Sequence, residues 1–594
     1  MRKIAAIAAI GAMLSIAMGA QLTSAAPPLA DPEPPAHDAL TPPPASASSR
    51  ATIADGASDL PPSAFLAGSI AVRLVFVESD GSKEPSTENW SAEQRAGVER
   101  QVRAALDWWE ARVPNAHASF TLVSQAAATG YEPISHGLAE EHLWASEALD
   151  ALGFSGSDHF EQAYAADNAI RSQLHTDWAT TIFVINSAND PDGRFSDNYF
   201  AYAYVGGPFM VFTSDASSYG FERLPVVISH ELGHIFGALD QYESANVPCA
   251  TRGGYLGVAS TNSQYNQCGT SEPSIMLDPV KAYPIGAIDS AALGQVGYRD
   301  SDGDHIPDPL DTQPTLSATI LPPTGPGMRP EVTAHAADQP FPAMQQRSLS
   351  INTISRIEYR TNGGDWTPLP QPGGAFDSAD ETSVVELPLY DGVQQIELRA
   401  INRQGIASPI ISQAVSIQGI GSEPAYSIES SAYHNTSDIS LDLQVQPGTQ
   451  IRSSNTLSFG DSPWQAAASS YTHALGSHAD GQHTIYIALR DAQGYDLPII
   501  TRQVMLDHTA PAGSATLAQN QLQIQAEDMI SGIDAVQFGL ADGSVSEWKA
   551  FQTTFIVRSQ PTPKMIWLRD RAGNISAPIP VSSEQSLFLP LVIQ

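Results

Sequence analysis

The 594-residue sequence contains only two cysteines, Cys249 and Cys268. Two cysteines are too few for a disulfide-rich scaffold or a cysteine-rich zinc module, so the chain must fold around hydrophobic cores. Basic residues are also scarce, with 29 lysines and arginines against 64 aspartates and glutamates and a formal net charge of −35. A chain this acidic repels phosphate backbones, which excludes nucleic acids as expected partners.

Long apolar runs are absent beyond the first 20 residues. The opening, with Arg2 and Lys3 before an apolar stretch and small residues up to Ala25, predicts a secretory signal peptide over residues 1–25. No later run approaches the roughly 20 apolar residues that a membrane-spanning helix needs. The sequence therefore predicts an extracellular protein, either secreted or retained at the cell surface, with no membrane span.

An oxidising compartment changes the expectation for the two cysteines. Exported proteins seldom keep exposed thiols, so we expect a Cys249–Cys268 disulfide, with two free thiols as the alternative. The loop it closes would form one wall of the site that precedes it in the chain.

Chain length predicts three to five domains. Residues 26–64 are rich in proline, alanine and serine and cannot bury enough apolar surface to fold alone. They are either a linker or a pro-segment that keeps the following domain silent. A thiolate switch is excluded because no cysteine precedes Cys249, so a carboxylate such as Asp55 or Asp59 would have to serve.

Chemistry-bearing residues are concentrated in one segment, which reads H-E-x-x-H-x-x-G-x-x-D from His230 to Asp240. Residues four apart lie on one face of a helix, so His230 and His234 can offer two imidazoles to one ion, the spacing typical of zinc ligands. Glu231 then projects beside the metal and is the natural general base. Gly237 allows the helix to end sharply, so that Asp240 can return as a third ligand.

Two other interpretations of this segment are open. One is a buried helix whose histidines bond to backbone carbonyls. The other is a zinc site completed by a glutamate from a second helix, for which Glu272 is the only glutamate between Cys249 and Asp300. Pro273 directly follows Glu272 and pushes it out of helical geometry, which favours the aspartate ligand.

Strand and helix patterns alternate before the motif and predict an α/β domain over residues 65–298. Ser91 and Gln94 form a capping-box pattern at the start of an amphipathic helix that Pro114 ends. Pro225 suits the first turn of the helix that carries the motif. We further predict strands over 70–77, 120–123, 180–185, 199–205 and 209–213 and helices over 138–152 and 158–175.

The segment 65–298 resembles the zinc endopeptidases of the metzincin clan, whose signature is H-E-x-x-H-x-x-G-x-x-[HD] followed by a turn that contains methionine. Asp240, Tyr242 and the nearby cysteines are similar to the snapalysin-type bacterial enzymes. The resemblance implies a zincin fold, zinc ligands at His230, His234 and Asp240, a base at Glu231 and a Met-turn at Met276. Many family members carry a tyrosine where this chain has Asp278; Tyr242 and Tyr283 are the candidate substitutes.

An acidic segment follows, D-S-D-G-D-H-I-P-D-P-L-D from Asp300 to Asp311. Its carboxylates and one backbone carbonyl match the oxygen ligands that calcium prefers. The predicted calcium ligands are Asp300, Asp302, Asp304, Ile306 (carbonyl), Asp308 and Asp311. The pattern resembles the calcium repeats of thrombospondin type 3, although His305 stands where such loops place glycine. We expect a calcium-binding linker over residues 299–330, or else a solvated acidic linker.

Short alternating strands with Gly, Asn and Asp turns follow, a pattern typical of β-sandwiches. Three similar copies, which resemble bacterial Ig-like modules, are predicted over 331–418, 419–508 and 509–584. Each copy has one upstream tryptophan, either packed in a core or stacked on sugar: Trp366, Trp464 and Trp548. The apolar end, 585–594, is either a last strand or a sorting signal.

The sequence therefore predicts a multidomain, secreted zinc endopeptidase that acts on protein or peptide substrates, with one catalytic Zn²⁺ and structural Ca²⁺. A second hypothesis is a cell-surface adhesin or glycan-binding protein whose zincin domain is silent and whose tail binds the ligand. A third keeps the zinc chemistry but directs it at an amide of cell-wall peptide. An intact Glu231 argues against a silent domain, because a decayed enzyme would most easily lose that residue.

Overall fold

The structure is a computed structural model that describes residues 39–41, 62–344, 347–372, 374–460, 462–557 and 561–583. The predicted signal peptide, most of the segment 26–64, including Asp55 and Asp59, and the tail 585–594 lie outside the described residues. Within these ranges, no helix is both long enough and apolar enough to cross a bilayer.

The first unit is a mixed sheet with helices on both faces. Its strands are β1 (Ala39–Leu40), β2 (Ser69–Ser79), β3 (Ser119–Thr129), β4 (Trp178–Ile185), β5 (Ala201–Tyr204) and β6 (Phe209–Thr213), with a hairpin of β7 (Arg252–Gly253) and β8 (Val258–Ala259). Its helices are α1 (Ala92–Glu110), α2 (Glu141–Ala151), α3 (His159–Leu174), α4 (Leu224–Ile235), α5 (Pro279–Ile285) and α6 (Ser290–Gln295). Short 3-10 helices lie at Pro114–Ala116, Pro133–Ser135, Leu138–Glu140, Ser217–Tyr219, Phe221–Arg223 and Glu243–Ala245.

The six strands of the main sheet are ordered β1-β5-β6-β4-β2-β3. Strands β2, β3, β4 and β6 are parallel, whereas β5 runs antiparallel to β6. Central strands β2 and β4 are almost wholly buried, as their continuous apolar runs predict. The capping box is also confirmed, because Ser91 and Gln94 bond reciprocally at the start of α1.

Two hydrophobic cores lie on opposite faces of this sheet. Alternate residues of β2 enter each core, so that Leu74 packs with α1 and α4, whereas Val75 packs with α2 and α3. The helix that carries the metal motif, α4, is therefore fixed between the sheet and α1. All residues of α4 are buried, so packing against its neighbours sets the position of the helix.

Residues 39–41 add an unexpected strand at the edge of the sheet. Ala39 and Leu40 pair in parallel with Ala203 and Tyr204 of β5, and Leu40 O accepts a hydrogen bond of 2.8 Å from Val205 N. The Leu40 side chain is half-buried against the second core. Part of the predicted linker or pro-segment is thus built into the fold.

The rest of the chain forms three all-β units, each with its own hydrophobic core. The second unit contains β9 (Pro314–Leu321), β10 (Glu331–Asp338), β11 (Ile354–Thr361), β12 (Thr367–Pro368), β13 (Asp380–Glu386), β14 (Gly392–Asn402) and β15 (Ile411–Ile417). The third contains β16 (Ser427–Glu429), β17 (Tyr433–His434), β18 (Asp438–Gln444), β19 (Gln450–Ser454), β20 (Gln465–Ala466), β21 (Ser470–Ala474), β22 (Gly481–Arg490) and β23 (Ile500–Leu506). The fourth contains β24 (Ala512–Ala518), β25 (Gln521–Glu527), β26 (Ile533–Leu540), β27 (Lys549–Ala550), β28 (Thr554–Ile556), β29 (Pro563–Asp570) and β30 (Ile579–Ser583).

These units confirm the predicted multidomain β tail, but the first β unit starts earlier than the sequence predicts. Strand β9 lies inside the predicted linker 299–330 and pairs antiparallel with β10. Its alternation of exposed and buried positions is typical of a sheet with one wet face. Pro314 stands at the first position of this strand, where proline is tolerated.

The repeated tryptophans are not core residues, which corrects the favoured sequence prediction. All three are only half-buried and lie outside the three β cores. Each faces arginine guanidinium groups: Arg399 lies 4.1 Å from the Trp366 ring centroid, and Arg490 lies 4.2 Å from that of Trp464. Cation–π stacking on the outer face of a sheet explains their common place in the repeat.

The first two units share buried contacts. The Tyr255 hydroxyl accepts a hydrogen bond of 2.9 Å from Leu349 N and donates to backbone oxygens of the second unit. Leu310, Leu349 and Ile351 belong to the same hydrophobic core as α4. The first β unit therefore packs directly against the domain that carries the motif.

Candidate metal centre

Helix α4 carries His230, Glu231 and His234, and all twelve of its residues are buried. Pro225 occupies the first turn, where a missing N–H costs nothing. The Trp109 indole of α1 donates a hydrogen bond of 2.8 Å to Ser229 O, directly before the first histidine. This contact fixes α4 against α1 at the level of the site.

Asp240 returns to the two histidines, as the sequence predicts. Its Oδ1 lies 3.1 Å from His230 Nε2 and 3.2 Å from His234 Nε2. Ligand atoms of the three residues lie within 4.8 Å of one another, and all three side chains are buried. Three donors of the types that zinc prefers therefore converge on one point.

The other nitrogen of each ring is held by the backbone. His230 Nδ1 lies 2.8 Å from Ile275 O, and His234 Nδ1 lies 2.8 Å from Ala238 O. A carbonyl oxygen only accepts, so each Nδ1 carries a proton and donates it. In the neutral ring, Nε2 then carries the lone pair, and in both rings that atom faces Asp240.

The three side chains are better suited to binding one metal cation than to holding extra protons on the two imidazole rings. Burial raises the pKa of the Asp240 carboxyl, but the adjacent His234 and His230 rings lower it by more, so Asp240 is a carboxylate. Protonating both rings would place two imidazolium ions with centroids 4.9 Å apart in a buried site. One metal ion at the common point would satisfy both lone pairs and the carboxylate. Two imidazoles and one carboxylate are a ligand set that catalytic zinc sites use, and they leave a position open.

Gly237 makes the return of Asp240 possible. Its φ is +92°, a left-handed conformation that side chains rarely adopt. A Cβ at this position would lie 2.6 Å from the Cα of Gly254. Gly237 N and Ala238 N bond back to His234 O and Gly233 O, which ends the helix directly after the second histidine.

Met276 lies beneath the motif helix. Its side chain is fully buried, and its Sδ would be 2.7 Å from a Cβ at Gly233, the residue before His234. Its backbone also contributes, since Met276 O accepts a hydrogen bond of 2.9 Å from Gln241 N. The turn at 274–278 thus contacts both the ligand helix and the segment that follows Asp240.

Neither candidate tyrosine stands at the Asp278 position, and the two lie in different surroundings. The Tyr242 ring stacks beside His230, with centroids 6.5 Å apart. Tyr283 instead stacks on Trp108 at 5.6 Å, and its hydroxyl donates towards α1. Asp278 itself caps the start of α5. Tyr242 is therefore the tyrosine beside the predicted ligands.

Some supporting residues have no signal in the sequence. Gln241 follows the third ligand and bonds through its side chain to Asp289, at 2.6 Å, and to Asn262, at 2.9 Å. These contacts hold Asp240 in place, but a lone glutamine carries no recognisable pattern. Glu272, the alternative ligand, lies outside the metal-ligating groups of the described residues, and its backbone bonds to Asn262.

The predicted disulfide is confirmed between Cys249 and Cys268, with Cα atoms 5.3 Å apart. It closes the loop that follows the motif. Ser263, inside this loop, donates its hydroxyl to Val247 O at 2.6 Å. The loop is thus closed by a covalent bond and joined to the segment before Cys249 by a part-buried hydrogen bond.

The predicted calcium loop is brought together only in part. Asp300, Asp302 and Asp304 are exposed and place oxygens within 4.8 Å of one another. Asp308 is buried and pairs with Arg299 Nε at 2.6 Å and with Ser301. Burial, and then the negative charges of Asp304, Asp302, Asp308 and Asp300, raise the pKa of Asp311, which is not part of the group of three. Ile306 contacts the group through its backbone N–H, which donates to Asp304 Oδ1 at 2.8 Å.

Comparisons with known proteins do not identify a family. No family model matches the chain, and no curated protein matches it. Similar solved structures include the chicken CNTN1 FN1–FN3 domains, at 11% identity and TM-score 0.18 over 46% of this chain and 100% of that one. Others are the Clostridium thermocellum CbhA fibronectin(III)-like modules (14%, TM-score 0.12, 32% and 94% covered) and a tetra-tandem repeat of a large adhesion protein (16%, TM-score 0.13, 45% and 74% covered). At these TM-scores the likenesses carry no argument about function.

Proposed function

We propose that this chain is a secreted zinc endopeptidase of the metzincin type. The observation that carries the proposal is the convergence of His230 Nε2, His234 Nε2 and Asp240 Oδ1 on one buried point, with Glu231 on the same helix. The mixed sheet, in which β5 runs antiparallel to β6 beside the site, and the methionine turn beneath α4 agree with that family.

The chain's own residues divide the work of peptide hydrolysis. When bound, zinc supplies a Lewis acid that makes a water acidic and polarises the peptide carbonyl. His230, His234 and Asp240 orient the ion, and their backbone partners fix the ring tautomers. Glu231 takes the proton from the attacking water and returns it to the departing amine.

Strand β5 is a suitable place for an extended peptide. It runs antiparallel to β6, and the short strand β1 is the one strand that lies beyond it in the described sheet. The turn that follows β5 contacts the motif helix, because Gly206 N donates a hydrogen bond of 2.9 Å to His234 O. A peptide that adds to this edge as a strand would pass beside the metal ligands. Residues 39–41 already pair there, which supports a silencing role for the N-terminal segment.

We therefore expect Leu40→Arg to raise kcat/KM for an unstructured protein substrate several-fold. The new charge would be half-buried against the core that Leu40 now contacts, so the β1 pairing would weaken. Thr41→Arg, which adds the same charge at an exposed neighbour, is the matched control and should not change the rate. Equal rates for both variants and the wild-type chain would mean that β1 does not cover the substrate edge.

The proposed activity is tested by metal analysis and digestion of a protein library with the full chain. We expect about one zinc per chain, cleavage of unfolded protein at internal peptide bonds, and loss of cleavage when a chelator removes the metal. Absence of zinc and of hydrolysis, combined with polysaccharide binding by the β units, would favour the adhesin hypothesis. Cleavage of cell-wall peptide alone would favour the amidase.

A further inference from the structure

A second buried group of acidic residues lies at the joint between the third and fourth units. Asp507 follows the last strand of the third unit, Asp528 follows β25, and Asp570 ends β29. Oxygens of the three lie within 4.8 Å of one another. Asp507 and Asp570 are 0% and 1% exposed, and Asp528 is half-buried. This burial distinguishes the group from an ordinary acidic surface.

The charges in this joint are not balanced by basic side chains. In the described part of the chain, no lysine or arginine forms an ion pair with any of the three aspartates. The two arginines adjacent to Asp570 in sequence bond elsewhere: Arg569 pairs with Asp534 at 2.7 Å, and Arg571 donates towards the Tyr433 hydroxyl at 3.4 Å. Burial raises the pKa of Asp570 although Asn574 and Gly573 donate to it, and the Asp507 carboxylate adds to the rise. The donors to these carboxylates are neutral backbone and amide groups, so the joint is short of positive charge.

Ser531 adds an unsatisfied buried oxygen at the same place. Its backbone N–H donates to Asp507 Oδ2 at 3.1 Å and to Asp528 Oδ1 at 2.9 Å, so the residue is held between these carboxylates. Its hydroxyl oxygen is buried and makes no hydrogen bond in the described structure, and the residue is 2% exposed. A buried hydroxyl without a partner is costly unless a ligand satisfies it.

The second unit provides an internal comparison. The segments 314–320 and 511–517 both begin with proline and share the sequence S-A-T, and the same strand ends meet in both units. In the second unit, however, Asn402 stands at the end of its strand and donates its amide to Asp338 at 3.1 Å. Thr312 and Ser350 also donate hydroxyls to Asp338. At this place the second unit thus has one carboxylate, Asp338, surrounded by neutral donors. The corresponding place in the fourth unit has three carboxylates.

We propose that Asp507, Asp528, Asp570 and the Ser531 hydroxyl bind one hard divalent cation, calcium, at this joint. Oxygen-only ligands with several carboxylates are the set that calcium prefers, and water or backbone oxygens would complete its coordination. The site joins two units, because Asp507 ends the third and the other ligands belong to the fourth. Bound calcium would therefore stiffen the end of the tail, independently of any chemistry in the first unit.

Asp570→Asn tests this site in the full chain, since it copies the asparagine of the second unit. Calcium titration with calcium chloride alone should find one site fewer in this variant than in the wild-type chain. Calcium should raise the Tm of the β tail by at least about 4 °C in the wild-type chain and little in the variant. Asp542→Asn, which removes an exposed carboxylate of the same unit, is the matched control and should keep both responses.

Without calcium, Asp570→Asn should be at least as stable as the wild-type chain, because it removes repulsion between carboxylates. That result separates a metal site from a merely structural aspartate, whose loss would lower stability with or without calcium. Asp528→Asn provides the same test at a half-exposed position should the first variant fold poorly. Equal calcium stoichiometry in the wild-type chain and both variants, or a Tm that calcium does not change, would overturn the proposal.

Discussion

Glu231→Gln should lower kcat/KM for protein hydrolysis by about 10²–10⁴-fold while zinc content stays near one per chain. Glutamine keeps the size of the side chain but cannot accept a proton from the attacking water. The three predicted ligands are not altered, and they remain anchored through Ile275 O, Ala238 O and Gln241. Steady-state kinetics on an unfolded protein substrate, together with metal analysis of the same sample, measure both quantities.

Glu243→Gln is the control for this variant. Glu243 is exposed and lies three residues after Asp240. Its substitution removes the same charge as Glu231→Gln but does not alter a residue of the site. Its kinetics should match those of the wild-type chain. A Glu231→Gln enzyme with wild-type activity would reject the proposed proton transfer even if zinc is present.

Asp240→Ala should remove the metal itself. Its carboxylate is the only anionic ligand of the three and is 3% exposed, so no other predicted ligand replaces its charge. We expect zinc affinity to fall by more than about 100-fold, since loss of a direct ligand exceeds the effect of an indirect partner. A competition assay with a chelator of known affinity measures the change, and activity should disappear with the metal.

Asp278→Ala is the comparison for the ligand variant. It removes an exposed carboxylate from the same turn that contains Met276 and should keep zinc. Asp240→Ala that holds zinc as tightly as Asp278→Ala would mean that the third ligand is another residue. Glu231→Gln and Asp240→Ala together separate proton transfer from metal binding, because the first variant should keep the ion and the second should lose it.

The sequence predicts the site well wherever its geometry is local. His230 and His234 face the same point because a helix repeats every 3.6 residues, and Gly237 ends the helix because only glycine adopts its φ of +92° at low cost. The disulfide followed from the presence of only two cysteines. These features depend on residue types and on the number of residues between them, and both can be read from the sequence.

Partners that are distant in sequence could not be predicted in this way. Ile275 O and Ala238 O fix the ring tautomers, but every residue has a carbonyl, so no sequence pattern marks these two. The same holds for β1, whose two residues form a strand only because β5 offers an open edge. Whether such contacts and short strands form depends on tertiary structure.

The tryptophan repeat shows a different limit. Trp366, Trp464 and Trp548 recur at equivalent positions, which suggests a shared structural role, and a core is the usual role of a repeated aromatic residue. The arginines that cover them give no signal in the sequence, because charged residues usually mark the solvent-exposed face of a strand. Their guanidinium groups lie 4.1–4.9 Å from the ring centroids and shield the aromatic faces from water.

A crystal structure of the zinc-loaded full chain, with anomalous data at the zinc edge, tests the central claim most directly. One strong anomalous peak should lie about 2.0–2.2 Å from the Nε2 atoms of His230 and His234 and from an Asp240 oxygen, with Glu231 beside it. A chain that takes up zinc without a peak at this point, or a peak held by other residues, would contradict the account.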